Sequence, residues 1–144
     1  MKTTDTSTAG EGLLWHEFSL HVPYAHIDKM GFVYYANYFV YFEMARSALL
    51  REHGLAYSAL EERGVMLPVL TAHCDYRKPA HYDDLITVRS RCLPWKGPRL
   101  CIAYHIVRDA DLLVEGFTEH ICMRPDGTPQ RPDADLKKLV ASFL

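Results

Sequence analysis

The sequence predicts an α+β fold in which an antiparallel sheet packs against one long helix. Three features lead to this. One extended stripe of apolar residues at helical spacing lies in the first third of the chain. A series of period-two segments follows it, with no long helix between them. Turn residues separate those segments at hairpin-like intervals. Strands that follow a helix in series, rather than alternating with helices, pair antiparallel and leave one sheet face for the helix.

Residues 1–12 (MKTTDTSTAGEG) are small, polar and aperiodic, and are expected to form a disordered tail; residues 13–144 are expected to form one domain. Trp15–Pro23 reads as the first strand, followed by the loop YAHIDKMG. From Asn37 to His53 the period lengthens: Tyr38, Tyr41, Phe42, Ala45, Ala48 and Leu49 share one helix face, with Glu43, Arg46 and Ser47 opposite. Asn37 is placed to cap this helix and Gly54 to stop it. Ser58 and Glu61 suggest a capping box for a short helix ending at Gly64. Leu70–Arg77, Leu85–Cys92, Leu100–Ile106 and Leu112–Met123 then alternate as strands, broken at Pro94–Pro98, at Asp109–Asp111 and at Pro125–Gly127. Pro132 and Asp133 open a final helix that runs to Phe143.

Composition excludes several classes. A formal net charge of -2 with 16 basic and 18 acidic residues argues against a nucleic-acid partner. No segment approaches the roughly 18 apolar residues of a membrane span, and no secretory leader opens the chain. The four cysteines form no CxxC pair and none lies at zinc-ligand spacing from a histidine, so no metal is expected. Reduced thiols and the missing leader together suggest a cytoplasmic protein. GxSxG, GxGxxG and GxxxxGK[ST] are all absent, which sets aside serine-hydrolase, Rossmann and P-loop readings; no cofactor is expected.

Asp28 is the leading candidate for chemistry. It stands in the loop just before the long helix, where outward-facing amides can polarise a carbonyl while a carboxylate attacks or activates water. Spacing alone equally permits, and favours, a plainer role: a turn residue bonding its own backbone in DKMG. His26 can serve as a base or as an ordinary loop histidine. Tyr24, Tyr34 and Tyr35 can line an acyl pocket or simply pack. Arg77, Lys78, Arg89, Arg91, Lys96 and Arg99 form a basic group suited to phosphates or to a solvated sheet face, and Trp95 offers a ring for an adenine.

The stretch YAHIDKMGFVYYANYFVYFEMAR, Tyr24 to Arg46, resembles the signature of the 4-hydroxybenzoyl-CoA thioesterase family: an aromatic, three residues, Asp, two residues, Gly, an apolar residue, Val, an aromatic, and a Tyr-bearing helix with an acidic–Ala–Arg patch. DYRKPAHYDDLITV and EGFTEHICMRPDGTPQRP extend the likeness over roughly residues 15–132. The resemblance implies a hotdog fold, a homodimer or homotetramer with sites between subunits, and hydrolysis of an acyl-CoA thioester, with an acyl carrier protein as a possible alternative carrier. It puts Asp28 at the catalytic carboxylate, the Tyr35 backbone amide at the oxyanion donor and Tyr24 at a nearby aromatic. Gly31, Val33 and Tyr34, together with Arg77, Lys78 and Arg91, are the candidate substrate-binding residues. Two departures stand out: His26 replaces an acidic residue common in relatives, and Tyr35 stands where some carry histidine. A hotdog hydratase or dehydratase using His26 beside Asp28, and a non-catalytic acyl-binding protein, are the alternatives.

Overall fold

A computed structural model describes residues 13–144; the expected N-terminal tail lies outside the described residues. Five strands form one antiparallel sheet: β1 (His16–His21), β2 (Val69–Tyr76), β3 (Leu85–Cys92), β4 (Arg99–Arg108) and β5 (Asp111–Ile121). Their order is β1-β3-β4-β5-β2, so β1 and β2 are the two edges. The long helix α1 (Asn37–Glu52) packs across one face, joined by α2 (Tyr57–Glu62) and, at the end of the chain, α3 (Ala134–Ala141). This is the expected hotdog arrangement, an antiparallel sheet wrapped around one long helix.

The alternation in β3 and β4 does what a half-buried sheet requires. Ile86, Val88, Ser90 and Cys92 of β3 and Leu100, Ile102, Tyr104 and Ile106 of β4 all point into the core, with intermediate or exposed residues between them. Tyr38, Tyr41, Phe42, Ala45, Ala48 and Leu49 of α1 meet them, as the helical stripe predicts. At the centre Phe42 stacks on Tyr104 with ring centroids 4.2 Å apart. Gly116 of β5 makes room for this contact. A Cβ there would lie 2.2 Å from the His73 carbonyl oxygen of β2 and 3.1 Å from the Phe42 ring.

Three sequence expectations are corrected. Asn37 does not cap α1; Ala36 holds that position, and the Asn37 amide donates instead to the His26 carbonyl at 3.2 Å. Ser58 makes no capping box, because α2 starts earlier, at Tyr57 behind Ala56. Arg46 is not on the solvent side of α1 but 9% exposed beneath it. By contrast, Asp133 caps α3 as expected, accepting from the Leu136 amide at 3.0 Å.

Arg46 opens a buried polar chain. Its Nε donates to the Tyr57 hydroxyl at 2.9 Å and its Nη1 to the Tyr104 hydroxyl at 3.1 Å. Tyr104 bonds Thr118 at 2.7 Å, Thr118 bonds His120 Nε2 at 2.8 Å, and His120 Nδ1 bonds the Leu67 carbonyl at 3.0 Å. A carbonyl can only accept, so Nδ1 carries the proton, and a neutral ring leaves Nε2 to accept from Thr118. Every donor in the chain then runs in one direction, from Arg46 to His120.

Candidate active site

The loop from β1 to α1 is folded by its own backbone. Ile27 and Val33 bridge across it, and the Asp28 amide donates to the Phe32 carbonyl at 2.9 Å. Between them Asp28 opens a tight turn. Its carbonyl accepts from the Gly31 amide at 3.0 Å, and its Oδ1 accepts from the Met30 amide at 2.9 Å. Gly31, at φ +93°, supplies a backbone conformation that a side chain would resist. The plainer role for Asp28 therefore holds in full, and it occupies one carboxylate oxygen.

The same turn delivers Asp28 to a cavity of about 260 Å³. Its walls are mostly apolar: Met30, Phe32 and Val33 from the loop, Tyr35 and Tyr38 from the entry to α1, and Tyr76 and Pro79 from the end of β2. Arg77 and Lys78 stand at its edge. The Val33 amide donates to the Ala80 carbonyl at 3.0 Å, and the Ala80 amide to the Tyr38 hydroxyl at 3.2 Å, which ties the loop to the segment after β2.

The entry to α1 presents an unused donor. The amides of Asn37, Tyr38 and Phe39 close the first turn onto Tyr34, Tyr35 and Ala36, while among the described residues no acceptor takes the Tyr35 N–H. A free amide at a helix start carries partial positive charge and suits an oxygen that is becoming negative. The Tyr76 hydroxyl donates to the Tyr35 carbonyl at 3.1 Å, and its ring meets Tyr35 and Tyr38 edge-on, so β2 holds this peptide in place. Burial, then the Cys74 thiol, raises the Tyr76 hydroxyl well above the usual phenol range, and burial likewise raises Tyr38. Both remain protonated at neutral pH. Burial pushes the Cys74 thiol up to about 11, which leaves it a poor nucleophile.

Among the residues that the sequence nominates, Asp28, Val33, Tyr35, Arg77 and Lys78 thus meet at one cavity, with Gly31 in the turn behind it. Tyr24, Tyr34 and Arg91 do not line it. Tyr24 is 75% exposed and packs edge-on against Tyr82; Tyr34 is exposed, its ring tilted against that of Tyr35 with centroids 4.8 Å apart. Arg91 sits three strands away on β3, its guanidinium over the Trp15 ring and its Nη2 donating to the Phe143 carbonyl at 3.0 Å. The Trp95 ring is committed as well, its Nε1 donating to the Leu136 carbonyl at 3.3 Å. His26 turns inward, its Nδ1 2.9 Å from the Tyr41 hydroxyl. Arg77 and Lys78 are each paired at the rim, with Glu115 and Asp111. Met30, Phe32, Tyr38, Tyr76 and Pro79 are the lining residues that sequence periods assign to no site. For Tyr76 the available signal is its place as the last residue of an alternating strand that leads into Arg77-Lys78-Pro79.

Among the described residues, no group of three or more His, Cys, Asp or Glu is placed to hold a metal ion. No helix among them is long and apolar enough to cross a membrane. The arrangement offers a carboxylate with one oxygen tied back, an unpaired amide at a helix start and an apolar aromatic pocket. That is equipment for holding and attacking a polarised acyl carbonyl.

Known proteins resemble this chain in sequence and fold. A family described as the thioesterase-like superfamily matches residues 22–139. A Bacillus subtilis protein provisionally named acyl-CoA thioesterase YneP is 37% identical over 105 residues, covering 72% of this chain and 76% of the relative. The acyl-CoA thioester hydrolase YbgC of Escherichia coli is 30% identical over 125 residues, covering 86% of this chain and 92% of the relative. Among solved structures, the hypothetical protein TT1821 of Thermus thermophilus superposes with a TM-score of 0.82 at 33% identity, over 90% of this chain and 99% of that one.

Proposed function

Since the chain belongs to the thioesterase-like superfamily, we propose that it hydrolyses acyl-CoA thioesters to the free acid and coenzyme A, in the 4-hydroxybenzoyl-CoA thioesterase branch that its helix-entry signature resembles. The names of YneP and YbgC support the reaction class. The observation that carries it for this chain is the meeting at one apolar cavity of Asp28 and Tyr35, whose N–H has no acceptor among the described residues. The thioester carbonyl accepts from the Tyr35 amide, with the α1 dipole behind it. Asp28 attacks that carbon or draws a proton from water that does so; its tied Oδ1 leaves Oδ2 for the work. Tyr76 positions the Tyr35 peptide. The acyl group lies among Phe32, Val33 and Tyr38, and the phosphates of coenzyme A meet Arg77 and Lys78, whose exposed ion pairs yield readily.

The enzyme acts as a homodimer at least. β2 ends the sheet with an open edge, and nearly every residue along it is exposed on both faces. With Val40 and Met44 of α1 and Met66, Val69 and Leu70 around β2, it forms an exposed apolar flank that a second copy covers. Four free thiols suit a cytoplasmic location.

A thiol-release assay over acetyl-, butyryl-, octanoyl-, palmitoyl- and benzoyl-CoA, with matching acyl carrier protein conjugates, tests the reaction. Release by the wild type and its loss in Asp28→Asn are expected. Tight acyl-CoA binding without release would favour the binding-protein alternative. A hydratase is disfavoured by His26, which faces Tyr41 rather than the cavity.

A further inference from the structure

The seam between α1 and β2 holds a second cavity, of about 280 Å³, some four strand residues upstream of Tyr76. Val40, Glu43 and Arg46 of α1, Val69 and Ala72 of β2, and Thr118 beneath line it. Arg46 is unusual here. It is 9% exposed, and its two hydrogen bonds end on the hydroxyls of Tyr57 and Tyr104. Among the described residues no carboxylate lies within ion-pairing distance of it. A guanidinium has five N–H donors, and two bonds leave the others open to the cavity. A cation this far out of water is ordinarily matched by an anion, because desolvating it alone is costly.

The missing anion stands on the same wall. Glu43 lies one turn before Arg46, is exposed, lines the same cavity and pairs with nothing among the described residues. We infer that Arg46 is the receptor for Glu43 of a second copy, so that a homodimer across the α1–β2 seam is closed by two reciprocal Glu43–Arg46 pairs. A two-fold interface makes each contact twice, so a wall with one free acid and one free base is complementary to itself. The apolar lining of Phe39, Val40, Val69 and Ala72 supplies the dry surround that gives a charge pair its weight. An anionic substrate is the competing occupant, and the test below separates the two. The pair also has a structural reach, since Arg46 continues through Tyr104, Thr118 and His120 to the Leu67 carbonyl at the entrance to β2.

This inference rests on the homodimer proposed above, and its test separates the two. Sedimentation of the full chain over a dilution series gives the dimer Kd. Glu43→Gln is expected to raise it by about tenfold or more, whereas Glu61→Gln, an exposed change on α2, leaves it unchanged. Arg46→Lys is expected to weaken the dimer, and adding Glu43→Gln to it should then cost little more. Should Arg46→Lys not fold, the Glu43 arm stands alone. A Glu43→Gln dimer as tight as the wild type overturns the pair while leaving the dimer and the thioesterase reading in place. A chain that is monomeric throughout overturns both pair and dimer, and thiol release still judges Asp28. An unchanged dimer whose hydrolysis of succinyl-CoA gains on butyryl-CoA also overturns the pair, with Arg46 then receiving a substrate carboxylate.

Discussion

β1 and β2 close opposite edges of one sheet, and they are finished differently. β1 alternates half-buried and exposed residues along its length, with Phe18 and Leu20 packed on the core. Its outward side is filled by Ser19 against Thr87 at 2.8 Å and by Glu17 against Arg89 at 2.9 Å. β2 has the same period but lies nearly bare on both faces, only Cys74 being half-buried. The helix accounts for the contrast: α1 leans toward β1 and β3, and β2 projects past its cover. One edge is a boundary of the folded unit. The other runs through Tyr76 into Arg77 and Lys78, which form a wall of the cavity, so the side with least cover carries the candidate site.

Four changes sharpen or break this division. The largest effect is expected from Asp28→Asn on the β2 side. Asparagine keeps an oxygen to accept from the Met30 amide, so the turn survives while the charge is lost. Turnover should fall by roughly 10² to 10⁴, with a melting temperature close to wild type; turnover near normal would falsify the role of Asp28.

Acid is the next probe. Burial lowers His120 from 6.5 to about 4. Between those values the unfolded chain binds a proton that the folded chain refuses, so stability rises with pH across the window and is lost on acidification. The full loss is about 3 kcal/mol, and urea titrations at pH 7, 6, 5 and 4 would read it. A flat profile would mean that the polar chain ending at Leu67 accommodates a charged ring.

Phe18→Ala on β1 should cost about 2 kcal/mol of stability, less than a fully buried ring because Phe18 is only partly covered. Its kcat in the folded protein should be unchanged; a matching fall in kcat would erase the distinction between the edges. The smallest effect belongs to Tyr76→Phe, which keeps the ring and removes the bond to the Tyr35 carbonyl. It is expected to lower kcat several-fold, about 1 kcal/mol, with KM nearly constant. An equal rise in KM would make Tyr76 a binding residue instead of a positioning one.

Much of this was legible in the sequence because period reports faces. Leu85–Cys92 is the strand as read, and the six-residue stripe of α1 is buried as read. Period does not report neighbours. The alternation of Leu70 to Tyr76 is real, yet nothing local says that the strand lies beyond the helix's reach. The helical stripe puts Arg46 opposite the apolar face, yet it is buried; only the hydroxyls of Tyr57 and Tyr104, distant in sequence, make that burial possible. At the site, spacing put Asp28 in the loop before the helix, and the family resemblance put Tyr35 at the helix entry. Spacing could not find Tyr76, which arrives across 41 residues of chain, nor foresee that Arg91 and Trp95 are spent on the carbonyls of Phe143 and Leu136.

The two tryptophans give the molecule a convenient optical property. Trp15 stacks on His105 under the Arg91 guanidinium, and Trp95 is tethered to α3. Neither touches the cavity, whose aromatic walls are tyrosine and phenylalanine. Indole emission excited at the red edge therefore tracks unfolding of the sheet and loss of the C-terminal helix, and stays silent when the pocket fills, whereas tyrosine absorbance follows the pocket. The same sample can thus report, at separate wavelengths, whether the chain is intact and whether its site is occupied.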